Sequence, residues 1–371
     1  MWDFYNPVKV VFGEGELNNI DTYAEQCGFK KTLLVCDPFH YEASGIADRI
    51  RKLCGSRIVG VYYDIEPNPS KENVDACTKM LLETGADSVI ALGGGSSMDC
   101  AKAAAVCAKL GCTAMDFMYG KVAPTDTWPL ISIPTTSGTG SEVTSGAVIS
   151  NHETDDKIGV AGPAMYAKMA IVDPELTYTV PAKVTAASGI DVLAHALDSL
   201  SNKRSSTFTE PMAIRAAKMA FENLERVIAD GKDKEARARM AEASVMIGYV
   251  VSHTGTSASH ACSYFLTAKY HLSHGEACGF TLDGWIEYTA TVKPEFEEYA
   301  RQIGFDSVKA MADRLREIKR NIGLKSTLTE LGCVTDEDFE EVCERCMSPK
   351  LATNVGDITI EDVRRVFAAR R

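Results

Sequence analysis

The spacing of apolar positions changes character at about residue 180. Before it, short apolar runs alternate with amphipathic helical stretches. VKVVFGEG reads as a strand entering a turn, and KTLLVCD as a buried strand ending on an acid, with a helix following over about 43–54. RIVGVYYDIEPNP is a strand running into a Pro-bounded loop, and SKENVDACTKMLLETG is an amphipathic helix. SVIALGGGSSMDCAKAAAV is strand, glycine turn and helix, and WPLISIPTT is another apolar strand. Strands separated by helical crossovers predict a parallel sheet with both faces covered. From Pro181 onward the β signal nearly vanishes, and helices are predicted at about 184–202, 209–228, 233–252, 255–270, 276–291, 294–303, 306–320, 336–346 and 360–370. The pattern therefore predicts an α/β domain over residues 1–180 and an all-helical domain over 181–371, with no internal repeat.

Length agrees with two domains, because single cores rarely grow beyond about 250–300 residues and this chain has 371. A net charge of −12 argues against nucleic acid and anionic membrane as partners. No apolar run approaches the roughly 18 residues of a membrane helix, and MWDFYNPVKV lacks the apolar core of a signal peptide. Twelve cysteines fall without framework spacing, which fits reduced thiols in a cytoplasmic protein. Cys343 and Cys346 form a CxxC inside a charged helical pattern and read as structural, with redox chemistry the minority alternative.

The candidate chemistry of the first half lies in two turns. Gly93-Gly94-Gly95-Ser96-Ser97 follows an apolar strand and opens a helix. Glycines let a phosphate approach the backbone, and a helix start offers unpaired N–H groups at a positive dipole end. The GxGxxG fingerprint is absent, and a bare GGGS also serves as a plain turn. The second turn, Pro134 to Glu142, is rich in hydroxyl and glycine residues. Thr139 and Glu142 have capping-box spacing for a following helix, but that leaves Thr135, Thr136 and Ser137 unexplained, and a ligand carrying many oxygens would use them.

In the second half, His253 to Gly279 holds four of the seven histidines, among them His260 and His274. Upstream, Asp191 and His195 stand four apart in a helical pattern, so they share a face. Together the four would make a three-nitrogen, one-oxygen set suited to Fe(II) or Zn(II). An Asp-x-x-x-His pair alone is common on helices that bind nothing.

Four motifs in order, GGGSSMDCAK, IPTTSGTGSEVT, GIDVLAHALDS and SHACSYFLTAKYHLSHGEACG, make the chain resemble the iron-containing (group III) alcohol dehydrogenases over nearly its full length. The resemblance implies an N-terminal dinucleotide-binding α/β domain, a C-terminal helical domain, and metal and substrate in the cleft between them. It places metal ligands on Asp191, His195, His260 and His274. It puts the pyrophosphate on Gly94, Gly95 and Ser96, the nicotinamide side on Thr135, Thr136, Ser137 and Thr139, and further cofactor contacts on Asn68 and Lys157. Asp37 falls where NAD-preferring members face the adenosine ribose, and a carboxylate there repels a 2′-phosphate, so NAD(H) is expected. Two departures stand out: Tyr264 occupies the place of a second histidine in HxxxH, and Gly146 replaces a residue that is polar in some members. Tyr264 reads either as a donor to substrate or as packing, while His253 and His271 receive no role.

The implied activity is hydride transfer between NAD(H) and a small primary alcohol or aldehyde, with Fe(II) first and Zn(II) second as the metal. The HACSYFLT variant resembles subgroups that act on functionalised aldehydes such as sulfo- or phosphonoacetaldehyde. A homodimer is expected. Rival readings are a dehydroquinate-synthase-like NAD-dependent lyase, a glycerol-dehydrogenase-like enzyme, and a silent NAD(H)-binding regulator.

Overall fold

The computed structural model describes residues 2–154 and 156–371. The chain packs as two units: Asp3–Thr136 with Gly140–Thr177, and Tyr178–Arg371 with Trp2 and Ser137–Thr139.

The first unit is built on β1 (Lys9–Phe12), β2 (Thr32–Cys36), β3 (Ile58–Tyr62), β4 (Ser88–Gly93), β5 (Leu130–Pro134) and β8 (Met169–Val172), in the order β1-β8-β5-β4-β2-β3. Every pairing in this sheet is parallel, as the alternating pattern predicts. Strands β2, β4 and β5 are buried along their whole length, which explains their continuous apolar runs. The helices of this unit are α1 (Ile20–Gln26), α2 (Pro38–Glu42), α3 (Ile46–Cys54), α4 (Lys71–Thr84), α5 (Gly95–Leu110) and α6 (Ala114–Met118). A capping box between Ser70 and Asn73 starts α4. The alanine-rich α5 is buried along most of its length and packs on α4, β4 and β6 (Gly146–Asn151). β6 pairs antiparallel with β7 (Asp156–Ala161) in a separate hairpin.

Three features depart from the sequence reading. The helix expected over about 43–54 begins at Ile46, and the single turn α2, capped by Asp37, precedes it. The hairpin β6–β7 lacks regular apolar alternation, and β8, though apolar and buried throughout, is only four residues long. The helix expected after Thr139 and Glu142 does not form: only a 3-10 turn, Ser141–Val143, follows. Its N-cap is Gly140 in the left-handed region, with no side-chain cap bond, and Glu142 is buried rather than capping.

The second unit is helical: α7 (Ala182–Ser201), α8 (Glu210–Ala229), α9 (Lys234–Thr254), α10 (Ala258–Tyr270), α11 (His274–Val292), α12 (Phe296–Ile303), α13 (Val308–Asn321), α14 (Asp336–Cys346) and α15 (Ile360–Ala368). Each matches a predicted run to within a few residues. α7 is the centre, packed by α8, α9, α10 and α11 and buried continuously from Gly189 to Ser201. One apolar core surrounds α7, α8 and α9, and a second joins α10, α11, α14 and α15.

Candidate metal centre and cofactor turns

Asp191, His195 and Asp198 lie on one face of α7, spaced i, i+4 and i+7. α11 comes close to that face because Gly275 has no side chain: a Cβ there would stand 1.9 Å from the Ala187 carbonyl oxygen and 2.8 Å from Asp191 Cβ. The approach brings His274, the first residue of α11, to Asp191. His260 enters from α10. Its Nε2 lies 3.6 Å from Asp191 Oδ1, and His195 Nδ1 lies 3.8 Å from Asp191 Oδ2. The His195 and His260 rings stack at 4.5 Å, and His260 and His274 meet edge-on at 5.5 Å. Asp191, His195 and His260 are nearly inaccessible to solvent.

Polar atoms this deep almost always have partners. Here Asp191 Oδ1, His195 Nδ1 and His260 Nε2 are buried with none. A carboxylate oxygen of Asp191, one ring nitrogen each of His260 and His274, and Cys278 Sγ all lie within 4.8 Å of one another. The electrostatics point the same way. Burial alone would raise the Asp191 carboxyl, but His195, His274 and His260 outweigh it and hold it far below the usual carboxylate range. Burial works against a proton on His260, yet Cys278, Asp191 and Asp198 lift it well above the ordinary imidazole value. His195 is pushed down, chiefly by burial. An anionic pocket with orphaned oxygen and nitrogen donors fits a divalent cation.

His260 is held by a residue the sequence reading passed over. Asp198 Oδ2 accepts from His260 Nδ1 at 2.8 Å, from the His260 N–H at 3.3 Å and from the Ser257 N–H at 2.9 Å. That bond keeps a proton on Nδ1 and leaves Nε2, on the Asp191 side, as the nitrogen a cation would take. The signal was in the sequence as the i+7 acid after Asp191. Cys278, one turn after His274 in α11, is the second residue passed over.

Tyr264 lies one turn beyond His260 on α10, half-buried, with Lys350 Nζ 3.5 Å above its ring. His253 Nδ1 bonds the Tyr249 carbonyl, and His271 closes α10 at φ 53°. Cys343 and Cys346 are both buried, and burial pushes the Cys343 thiol up to about 12; all twelve cysteines are unpaired.

In the first unit, the predicted cofactor residues collect at the carboxyl ends of neighbouring parallel strands, where open α/β sheets bind ligands. Gly93 ends β4 at φ +142°, where a Cβ would meet Ser97 Oγ at 2.4 Å and Asp37 Oδ2 at 3.1 Å. Gly94 is the N-cap of α5 with no side-chain cap, leaving the N–H groups of that long helix start for a ligand. Asp37 Oδ1 caps α2 through the His40 N–H at 3.0 Å, while Oδ2 faces Gly93. Asn68 donates its N–H to Ser96 Oγ at 3.0 Å, and Lys157 Nζ donates to Asn68 Oδ1 at 2.8 Å. Thr135 Oγ1 bonds buried His40 Nε2 at 2.8 Å, and Thr136 Oγ1 would lie 3.3 Å from a Cβ on Gly94. The hydroxyl-rich turn is divided. Thr135 and Thr136 stay with the sheet, but Ser137–Thr139 group with the helices, where the Gly138 N–H donates to Ser244 Oγ at 2.9 Å.

The two turns are pinned together from α5. Asp99 accepts from Ser141 Oγ at 2.8 Å and the Val148 N–H at 2.9 Å. Fully buried Lys102 donates to Ser141 Oγ, Thr144 Oγ1 and the Gly146 carbonyl at 2.8, 3.2 and 3.0 Å. At position 146 it is thus the backbone carbonyl that is engaged.

Comparison with known proteins decides the family. The iron-containing alcohol dehydrogenase model matches residues 7–174, and the C-terminal model of the Fe-containing alcohol dehydrogenase family matches residues 185–370. The chain belongs to the iron-containing alcohol dehydrogenase family. Among relatives, it is 34% identical over 325 residues to choline dehydrogenase of Bacillus subtilis, covering 86% of this chain and 80% of that one. It is 32% identical to the NAD-dependent methanol dehydrogenase of Bacillus methanolicus, covering 99% of both. Among solved structures, sulfoacetaldehyde reductase from Bifidobacterium kashiwanohense in complex with NAD+ superposes with a TM-score of 0.95 at 35% identity, covering 100% of this chain and 98% of that one. The family fold, a parallel-sheet N-terminal part followed by a helical C-terminal part, is the one described above.

Proposed function

We propose that this protein is a metal-dependent oxidoreductase that transfers a hydride between NAD(H) and a short functionalised aldehyde or its alcohol, a sulfo- or phosphonoacetaldehyde-like compound being the substrate class. The observation that carries the metal part is the buried group of Asp191, His195 and His260, whose Oδ1, Nδ1 and Nε2 atoms have no hydrogen-bond partner, with His274 beside it. The cofactor part is supported by the strand-end cluster of Asp37, Gly94, Ser96, Asn68 and Lys157, and by the NAD+ complex of the sulfoacetaldehyde reductase it resembles. The same likeness supports the substrate class.

A divalent cation held by Asp191, His195, His260 and His274, Fe(II) or Zn(II), supplies Lewis-acid polarisation of the substrate oxygen. The chain's own residues supply the rest. Asp198 holds the proton on His260 Nδ1 and so fixes which nitrogen donates. The uncapped start of α5 receives the pyrophosphate, and Asp37 Oδ2 accepts from the adenosine ribose and rejects a 2′-phosphate. Lys157, steered by Asn68, reaches the cofactor. Lys350 over the Tyr264 ring adds positive charge near α10, which suits an anionic aldehyde.

The test is NADH oxidation by the Fe(II)- or Zn(II)-loaded protein across a panel of short aldehydes, neutral and anionic. The proposal expects turnover, with kcat/KM greatest for a two-carbon aldehyde carrying sulfonate or phosphonate. Preference for neutral aldehydes would overturn the substrate class, and no NADH oxidation with any aldehyde would overturn the function.

A further inference from the structure

His40 is a buried histidine far along the chain from the metal centre, and it joins two of the cofactor elements. It lies on α2, three residues after Asp37, whose Oδ1 accepts from the His40 N–H. The other carboxylate oxygen, Oδ2, lies 3.7 Å from His40 Nε2, and the Asp37 side chain is 30% exposed where it faces Gly93. Nε2 also lies 2.8 Å from Thr135 Oγ1, just past β5, and Nδ1 lies 3.1 Å from Ser44 Oγ.

These bonds fix where the ring carries its hydrogen. Ser44 Oγ donates to the His40 carbonyl at 3.3 Å and accepts from the Ile46 N–H at 3.2 Å. Its hydrogen is thus committed and it meets Nδ1 as an acceptor, so Nδ1 carries the proton. Nε2 is then a lone pair that accepts from the Thr135 hydroxyl. In this form the ring sends neither charge nor hydrogen toward Asp37 Oδ2, and the carboxylate keeps its full charge. Burial favours the neutral ring more than Asp37 opposes it, so His40 takes up a proton below the ordinary imidazole range. A second proton can enter only at Nε2, the nitrogen beside Oδ2.

Asp37 is the charge that acts on this ring. Glu42 of α2 and Lys52 of α3 are exposed, Arg51 pairs with Asp48 at the surface, and Arg49 reaches Asn18. The neighbouring strand ends present Gly93 and Thr135, which carry no charge.

We propose that His40 is a specificity-determining residue: neutral, it lets Asp37 repel an adenosine 2′-phosphate, and protonated on Nε2 it offsets that carboxylate and lets NADP(H) bind. The proposal rests on the reading above that Asp37 faces the ribose. It makes cofactor preference depend on pH, with NA(D)-type discrimination full at and above neutral pH and weaker as acid charges the ring.

The test is fluorescence titration of NADH and NADPH into wild type and His40→Gln between pH 8 and pH 5.5 at constant ionic strength. Glutamine still accepts from Thr135 but cannot take a charge. A phosphate monoester itself titrates near pH 6, so the wild-type change is read against that of the variant, in which only the ligand titrates. The ratio of the NADPH Kd to the NADH Kd should fall about three- to tenfold more in wild type than in His40→Gln. Repeating the comparison with Asp37→Gly in both proteins should show no such excess, since no carboxylate remains to be offset. His40→Asn replaces His40→Gln if circular dichroism shows the latter unfolded. Equal pH dependence in wild type and the folded variant, or an excess that persists with Asp37→Gly, overturns the role of His40 and leaves NAD(H) binding standing. Failure of NADH to bind wild type overturns the cofactor reading together with this inference.

Discussion

Asp198→Asn separates the orientation of His260 from its presence. The carboxylate is buried and its Oδ2 accepts three hydrogen bonds, the shortest, at 2.8 Å, from His260 Nδ1. Asparagine keeps the shape and one acceptor oxygen but removes the charge. A hydrogen bond to a charged group contributes about 1.5–3 kcal/mol, against about 0.5–1.5 kcal/mol for a neutral one. The metal-free protein should therefore lose about 1–3 kcal/mol, with the Nδ1 bond contributing most. Metal affinity should fall further, by about 10- to 100-fold, as expected when the carboxylate behind a ligating imidazole is lost. In free energy that is about 1.4–2.7 kcal/mol. Equilibrium denaturation of the stripped proteins reads the first quantity, and Zn(II) competition against a chromophoric chelator reads the second. Wild-type Zn(II) affinity in a folded Asp198→Asn protein would refute the claim that Asp198 aims His260 at a cation.

Three further perturbations probe separate parts of the account. Asp37→Gly removes the carboxylate beside Gly93 while costing α2 only a few tenths of a kcal/mol as an N-cap change. The NADP(H)/NAD(H) ratio of kcat/KM should rise about ten- to several-hundredfold, and an unchanged ratio would place Asp37 away from the ribose. Gly275→Ala forces a Cβ into the Ala187 carbonyl and Asp191, so α7 and α11 must part. Stability should drop by about 1–3 kcal/mol with metal affinity lost alongside, and a variant with wild-type denaturation and metal content would show that the close approach is dispensable. Asp283→Asn strips the counter-charge from Lys319, Arg370 and Arg316, which all bond this buried carboxylate. Burial raises Asp283, but the three cations outweigh it and hold it far below the ordinary range. Burial pulls Lys319 down to about 8, and the three surrounding cations favour an ionised Asp283. A depressed folded value means stability fully present above about pH 4, the unfolded value, and lost as pH falls toward the folded one. The substitution should cost about 3–5 kcal/mol at neutral pH and flatten the acid limb, which urea melts across pH would reveal; an unchanged acid limb would remove Asp283 from the pH dependence.

Long, strongly periodic elements were the legible part of the fold. α8, α12 and α13 each bury one stripe, and β2, β4 and β5 are buried throughout and largely apolar, so pattern and burial carry the same information. The hairpin β6–β7 was hidden because its strands mix glycine, serine and charged residues and β7 is only partly covered. The expected helix after Thr139 failed for a different reason. Capping-box spacing describes local preference, whereas Glu142 is drawn into the interior, where burial raises its carboxyl to about 7 near Lys102. In the helical half, Asp191 and His195 were legible through their spacing, and His260 and His274 through the motif. Asp198 and Cys278 were not, since an aspartate and a cysteine on amphipathic helices have many ordinary explanations. Only the convergence of α7, α10 and α11, allowed by Gly275, shows what they face.

The central claim, a catalytic cation held by Asp191, His195, His260 and His274, is tested most directly by titrating metal back into stripped protein while following NADH-dependent aldehyde reduction. The account predicts no turnover without metal, recovery that rises linearly to one Fe(II) or Zn(II) per chain, and no recovery in folded His260→Ala. Full turnover by the stripped protein, or recovery in His260→Ala equal to wild type, would contradict it.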